Sequence, residues 1–398
     1  MISTGVIVEY NPFHNGHLYH IKEIRKKESS QTIVAVMSGS FLQRGEPALT
    51  DKWTRAEMAI HGGVDLVIEL PTRFATGIAS EFATGAVQLL HQLKVNEICF
   101  GSEDGKIEPF LKTASTLIQK EQVIQKQMQS TINFKQPFAQ QFASEANSQT
   151  QSTLAIEQPN NSLGLQYCLA NLRLGSPLKM STIGRTQAQY HDEEWERDIA
   201  SATAIRKALF EGQSLQHLSR TMPTRSAELL IQQQQQGIPF GNWELFYPFV
   251  RSQLLTTPLD ELRKRFTIRE GIEHRLVEAA SFCSTFQAFM QFVKTKRYTW
   301  ASIQRMLTHI LLHHNYEEMD AIDTPTYGKI LAFNNRGQRY LKFLQQETSF
   351  PLFTNRGPQN HLGWQLDQKA TALYTLITGN QKKSRTVFTD HSTPPYIL

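Results

Sequence analysis

The sequence predicts an α/β protein built on a parallel sheet, followed by a mostly helical C-terminal part. Three observations point there. Strand-like apolar runs and helical stretches alternate through the first hundred residues, the pattern of strand–helix–strand crossovers. The apolar runs are continuous rather than alternating, as expected of strands covered on both faces. Beyond the glutamine run Gln232–Gln236 the pattern becomes largely amphipathic and helical.

In order, strands are expected at Thr4–Glu9, Thr32–Met37, Val64–Glu69 and Glu97–Phe100. Helices are expected between them at His17–Lys27, Asp51–His61 and Ala79–Leu93. Thr50 suits the N-cap of the second helix, and Gly62-Gly63 its stop. Residues 106–158 read as a helical, glutamine-rich insertion. The α/β character resumes with a helix at Leu163–Leu172, a strand at Leu178–Ile183 and a helix at Ser201–Phe210. Gly237 and Pro239 mark a connector, so the chain divides into a unit over 1–230 and a mainly helical one over 240–398. In the latter, Glu244–Leu312 reads as several amphipathic helices, and Lys329–Gly337 as a strand and turn.

Composition narrows the class. The 398 residues are 40% hydrophobic and 19% charged, ordinary for a soluble globular chain. No apolar run approaches the roughly 20 residues that span a bilayer, and no secretory signal or membrane association is expected. Cys99, Cys168 and Cys283 are isolated and odd in number, so buried filler in a reducing, cytosolic compartment is expected rather than disulfides. A formal charge of +5 and a pI near 9.0 fit a polyanionic partner or simply a solvated basic surface.

The chemistry concentrates where the first strand meets the first helix. In "VIVEYNPFHNGHLYHIKEI" (Val6–Ile24) the apolar run stops at Asn11-Pro12 and His14, Gly16 and His17 follow. Ligands of open parallel sheets bind at the carboxyl ends of strands, and a helix N-terminus there is a phosphate site. Gly16 permits close backbone approach, and His14 and His17 can donate to phosphoryl oxygens as pyrophosphate leaves. The turn reads as a nucleoside-triphosphate cradle. Singly, either histidine could be an ordinary loop residue, and His20 plain helix surface.

"NPFHNGH" resembles the H-x-G-H signature of the nucleotidyltransferase superfamily, which implies a Rossmann-like fold. Together with "VAVMSGSFLQRGEPAL", "DLVIELP", "FGSEDG" and "PNNSLGLQY", the chain resembles the tRNA(Met) cytidine acetate ligase family along nearly its whole length. The resemblance implies activation of acetate by ATP to acetyl-adenylate and transfer to N4 of the wobble cytidine of elongator tRNA(Met). It places the ATP site on Ile7, Val8, Glu9, Tyr10, Asn11, Pro12, Phe13, His14, Asn15, Gly16, His17, Leu18, Tyr19 and His20, with His14 and His17 catalytic on the phosphates. It adds Gly101 beside the nucleotide and an asparagine of "PNNSLG", either Asn160 or Asn161, although either could equally be an N-cap. Arg185 is a candidate for phosphate or ribose-side charge. Ser201, Thr203 and Arg206 of "SATAIR" resemble a second phosphate motif, though a capped surface helix fits as well. The K-M-S-K-S lysines of the superfamily have no match here. Mg²⁺ is expected with ATP, with no ligands identified.

Ser38, Gln43 and Arg44 of "SGSFLQRGEP" could face acetate or cytidine, or belong to a surface loop. For RNA, Lys294, Lys296, Arg297 and Arg305 with Tyr298 and Trp300 form one basic–aromatic patch, and Lys382, Lys383 and Arg385 a second. Either could be only a solvated face. Two other functions stay open: a small-molecule adenylyltransferase with the same ATP site, and a non-catalytic RNA-binding protein.

Overall fold

Four parallel pairings build the frame of the sheet. β1 (Ser3–Val8) lies between β2 (Thr32–Ser38) and β4 (Glu97–Ser102), β3 (Leu66–Leu70) pairs β2, and β5 (Lys179–Gly184) pairs β4. This computed structural model describes residues 1–26, 32–121, 148, 153–184, 200–269, 271–379 and 386–398. The sequence-expected strands are all present within a residue or two of their bounds.

The sheet then continues with segments from the far end of the chain. β6 (Gly328–Phe333) adds antiparallel to β3. β7 (Leu352–Phe353) and β8 (Tyr396–Ile397) both pair β6 in parallel, one at its start and one at its end. The order is β5-β4-β1-β2-β3-β6-β7, with β8 beside β6. At the β6 side the edge strands are two residues long and leave little open backbone for another chain.

Both faces are covered, which explains the continuous apolar runs. Val34 and Val36 of β2 face one core with helices Ala79–Gln92, Glu108–Gln119 and Pro159–Arg173; Ile33, Ala35 and Met37 face another with helices Asn15–Lys26, Lys52–His61 and Ala202–Phe210. The second helix is capped by Asp51, not by Thr50, whose hydroxyl is instead within 2.5 Å of Gln233 Oε1. Asp51 accepts the Thr54 N–H, and Gly62 ends the helix as expected.

A third core belongs to helices Trp243–Thr256, Ile272–Phe282, Phe286–Val293 and Trp300–Leu311, and it also takes in Phe41, Leu42 and Ala48 from the loop after β2. Helix Leu362–Thr378 joins it through Ala370 and Tyr374. A buried ionic cluster fastens these parts together. Lys52 Nζ lies 2.7 Å from Glu69, 2.8 Å from Asp390 and 2.9 Å from the Thr371 hydroxyl. Lys329 of β6 bonds the same Asp390 oxygen as Lys52, and burial holds its pKa well below the usual lysine range. Such a cluster gives little net stability over an apolar core, but breaking it strands a buried charge. The glutamine-rich insertion falls largely outside the described residues; its described helix is Glu108–Gln119. Among the described residues no helix is long and apolar enough to cross a membrane.

Candidate active site

Because β1 connects onward to β2 while its other neighbour is β4, the sheet changes direction of winding between β1 and β4. The crevice outside their carboxyl ends is the position where open α/β sheets hold ligands. The Glu9–His14 turn enters it from β1, and Gly101 and Ser102 enter it from β4.

The turn is fixed from several sides. Tyr10 takes a left-handed backbone (φ 48°), and its buried ring meets Phe13 and His17 edge-on at 4.7 and 4.8 Å. Phe13 fills the space over Gly62, where a Cβ would run into the ring. The Asn11 side-chain carbonyl accepts the Leu49 N–H at 2.7 Å. Ile7 packs into the first core, and Val8 and Leu18 into the second. His20 approaches the Cys99 thiol at 3.8 Å.

Helix Asn15–Lys26 begins directly after this turn. The rings of His14 and His17 stack with centroids 3.8 Å apart. Gly16 N–H donates to His14 Nδ1 at 3.0 Å, and His14 N–H donates to His17 Nδ1 at 3.3 Å. With Nδ1 accepting in both rings, the neutral imidazoles carry their proton on Nε2. The arrangement is a pair of oriented N–H donors at the positive end of a helix, suited to an anion.

Arg55, which sequence reasoning missed, is wholly buried beneath this edge. Its guanidinium donates to the carbonyls of Glu9 (2.7 Å), Ser38 (3.0 Å), Thr50 (3.1 Å) and Gly39. It therefore gathers the ends of β1 and β2 and the start of the next helix. The only sequence signal is a basic residue one turn into a crossover helix, which reads equally as surface. Ser38 lies inside, with its hydroxyl buried and unbonded.

Arg206 donates to the Asn11 carbonyl at 2.8 Å and pairs with Glu46 at 2.9 Å, which ties helix Ala202–Phe210 to the turn. Ser201 is that helix's N-cap and accepts the Ala204 N–H at 3.1 Å; Thr203 is exposed. Gln43 N–H donates to Glu9 Oε1 at 2.8 Å, and Arg44 is exposed beside it. Burial pushes the Glu9 carboxyl above the usual carboxylate range and Glu46 adds to this, while the Gln43 N–H, Arg44 and Arg206 work the other way.

On the β4 side, Glu103 accepts from the Asn160 side chain at 2.6 Å and from the Asn161 N–H at 2.8 Å, closing the N-terminus of helix Pro159–Arg173. Asn161 is buried, and its carbonyl takes the N–H groups of Glu103 and Asp104 at 3.1 and 3.3 Å. Both asparagines are thus tied to the loop after β4, Asn161 buried within it and Asn160 half-buried with its amide on Glu103. Arg185 lies outside the described residues, just past β5.

The expected RNA patch divides. Lys294 and Lys296 are exposed, and Arg297 lies over the Tyr298 ring at 5.6 Å. Arg305 instead turns inward and donates to the Gln43 carbonyl at 3.4 Å; burial lowers its pKa to about 10. Lys382, Lys383 and Arg385 lie outside the described residues. All three cysteines are buried free thiols, and burial pushes Cys168 up to about 12. Among the described residues no group of three or more His, Cys, Asp or Glu could hold a metal ion.

Comparison with known proteins gives a consistent picture. Residues 1–388 match the family model described as HIGH Nucleotidyl Transferase. A tRNA(Met) cytidine acetate ligase of Geobacillus sp. (strain WCH70) is 41% identical over 407 residues, covering 100% of both chains. One from Bacillus subtilis (strain 168) is 40% identical, covering 94% of this chain and 92% of the other. The crystal structure of Thermotoga maritima TmcAL bound with alpha-thio ATP superposes with a TM-score of 0.90 at 31% identity, covering 100% of both chains. Its apo form gives 0.92 at 32% identity.

Proposed function

The chain belongs to the tRNA(Met) cytidine acetate ligase family of HIGH nucleotidyl transferases, and from that premise we propose that it joins acetate to N4 of the wobble cytidine of elongator tRNA(Met) through acetyl-AMP. ATP lies in the crevice between β1 and β4, with its phosphates at the start of helix Asn15–Lys26. An acetate oxygen attacks the α-phosphorus and pyrophosphate leaves. His14 and His17 donate from Nε2 to the phosphate oxygens, where negative charge accumulates as the bond breaks. Arg206 and Arg185 supply further positive charge, and Asn160, the more exposed of the two asparagines, is the one assigned to the nucleotide. Catalysis is positioning and electrostatics, with no covalent protein intermediate.

The observation that carries this reading is the locked pair of imidazoles, each accepting a backbone N–H at Nδ1, at a helix N-terminus beside the switch point. Mg²⁺ would travel on the nucleotide's phosphates, since this cation needs few protein carboxylates. The unit beyond residue 240 would hold the RNA through Lys294, Lys296 and Arg297, and the segment with Lys382, Lys383 and Arg385 is proposed to assist. Arg305 serves the loop after β2 rather than the outer surface.

The direct test is mass analysis of the wobble cytidine after incubating elongator tRNA(Met) with the protein, ATP and acetate. An acetyl group appearing only when both ATP and acetate are present supports the reading. Acetylation that needs no ATP, or none at all, contradicts it.

A further inference from the structure

Three acidic side chains near the strand ends are already paired. Glu46 pairs Arg206 at 2.9 Å, Glu69 pairs Lys52 at 2.7 Å, and Glu103 accepts from Asn160 and Asn161. Glu9 is different. One oxygen accepts the Gln43 N–H at 2.8 Å, and the carboxylate makes no ion pair among the described residues. It is half-buried, at the end of β1, five residues before His14 in sequence. A carboxylate held beside a polyphosphate site raises the local negative charge and opposes nucleotide binding. Its presence there calls for a task that a neutral side chain cannot perform.

The acetyl acceptor supplies such a task. The N4 amine of cytosine shares its lone pair with the ring and is a weak nucleophile. Its attack on an acyl-adenylate builds positive charge on nitrogen, which a base at hand relieves. We infer that Glu9 is the general base that takes the N4 proton of the acceptor cytidine during acetyl transfer, an assignment that rests on the acetate-ligase reading. The N4 lone pair forms the bond to the acetyl carbon, and the carbonyl electrons move to oxygen. They return as the carbon–oxygen bond to AMP breaks. The N4 proton passes to the Glu9 oxygen that Gln43 does not hold, and from there to water.

The surroundings suit this role. Glu46 and Arg44 face Glu9 from the loop after β2, and Arg206 from helix Ala202–Phe210. Arg55 from helix Lys52–His61 and Tyr167 from helix Pro159–Arg173 also feel its charge. Burial is the largest influence on the carboxyl and raises its pKa, which brings a carboxylate closer to the basicity that general-base catalysis needs at neutral pH. The rival role is a Mg²⁺ ligand, since this cation takes one or two carboxylates beside substrate phosphates, and the Mg²⁺ requirement for exchange tells the two roles apart.

Glu9→Gln tests this, because the amide oxygen still accepts the Gln43 N–H while the basic oxygen is lost. Two half-reactions of the full chain are measured from about pH 5 to about pH 9, bracketing the expected titration. One is acetate-dependent exchange of pyrophosphate into ATP without RNA. The other is single-turnover transfer from the preformed enzyme-bound adenylate to elongator tRNA(Met). The expected result is transfer slowed on the order of a hundredfold or more, exchange slowed under about tenfold, and the acid limb of the transfer profile lost. Glu9→Asp should recover part of the transfer rate. Equal losses in both half-reactions, an acid limb that survives in Glu9→Gln, or a raised Mg²⁺ requirement for exchange would overturn the assignment. If the unaltered protein shows no acetate-dependent exchange, the ligase reading itself fails and the assignment falls with it.

Discussion

Gly62 lies directly beneath the Phe13 ring, so close that a Cβ would run into ring atoms. Its own backbone is ordinary (φ −77°), so alanine there would be resisted by the ring and not by the main chain. Gly62→Ala should push Phe13 and, through it, the turn that carries His14. Overpacking of this kind costs about 1–3 kcal/mol. Denaturant unfolding should show that loss, and ATP titration should show weaker binding. Unchanged ATP affinity would separate the Phe13 contact from the nucleotide site.

Arg55 serves four carbonyls from one buried position. Arg55→Met fills much of the volume but leaves those acceptors without a donor. A loss of roughly 3 kcal/mol or more is expected, the usual penalty for stranding buried polar groups. Arg55→Lys should recover only part, because an ammonium on a single point cannot span the fork. Chemical denaturation of both variants measures this, and a loss under about 1 kcal/mol for methionine would mean that the carbonyls find other donors.

Lys296 is exposed and Arg297 sits on an aromatic ring, whereas Arg305 points into the loop after β2. Replacing Lys296 and Arg297 by alanine should weaken tRNA binding and reduce the slope of log affinity against log salt by about 1 to 2. Arg305→Ala should leave that slope alone. The check is binding across a salt series; a slope indifferent to Lys296 and Arg297 would move the RNA surface elsewhere.

His309 and His314 face each other with Nδ1 atoms 3.1 Å apart, both fully buried. Burial pulls His309 from 6.5 to about 3 and holds His314 well below its usual value. Both rings are therefore neutral in the fold. Below pH 6.5 the unfolded chain takes up protons that the folded chain does not, so stability falls as pH drops from 6.5 towards 3. Each ring contributes a slope of at most about 1.4 kcal/mol per pH unit. Asp367, raised by burial to about 6, acts the opposite way, since the folded chain gains its proton first. The comparison that isolates the histidines is the double variant His309→Leu, His314→Leu against the parent from about pH 7 to about pH 5. The variant's stability should fall less steeply; equal slopes would show that the pair does not govern acid sensitivity.

Much of the sheet was legible because its strands are continuous apolar runs bounded by turns, and the His14–His17 motif because its residues are adjacent in sequence. What the sequence hid is pairing at long range. "KILAF" of β6 reads as a strand, but nothing local says that it joins β3 antiparallel. Lys52, Glu69 and Asp390 each look like surface charges until the fold brings them together. Thr50 and Asp51 are both good caps, and the choice fell to Asp51 with the Thr50 hydroxyl set against Gln233, far along the chain. Arg305 belongs to a basic cluster in sequence, yet helix Trp300–Leu311 packs so that it faces inward.

Acetate-dependent exchange of pyrophosphate into ATP, measured in the unaltered protein and in His14→Ala and His17→Ala, puts the triphosphate cradle to its plainest trial. Exchange should be present in the first and fall on the order of a hundredfold or more in each variant, with tRNA affinity little altered. Exchange that survives in both variants, or tRNA affinity that collapses along with it, would contradict the role given to the two imidazoles.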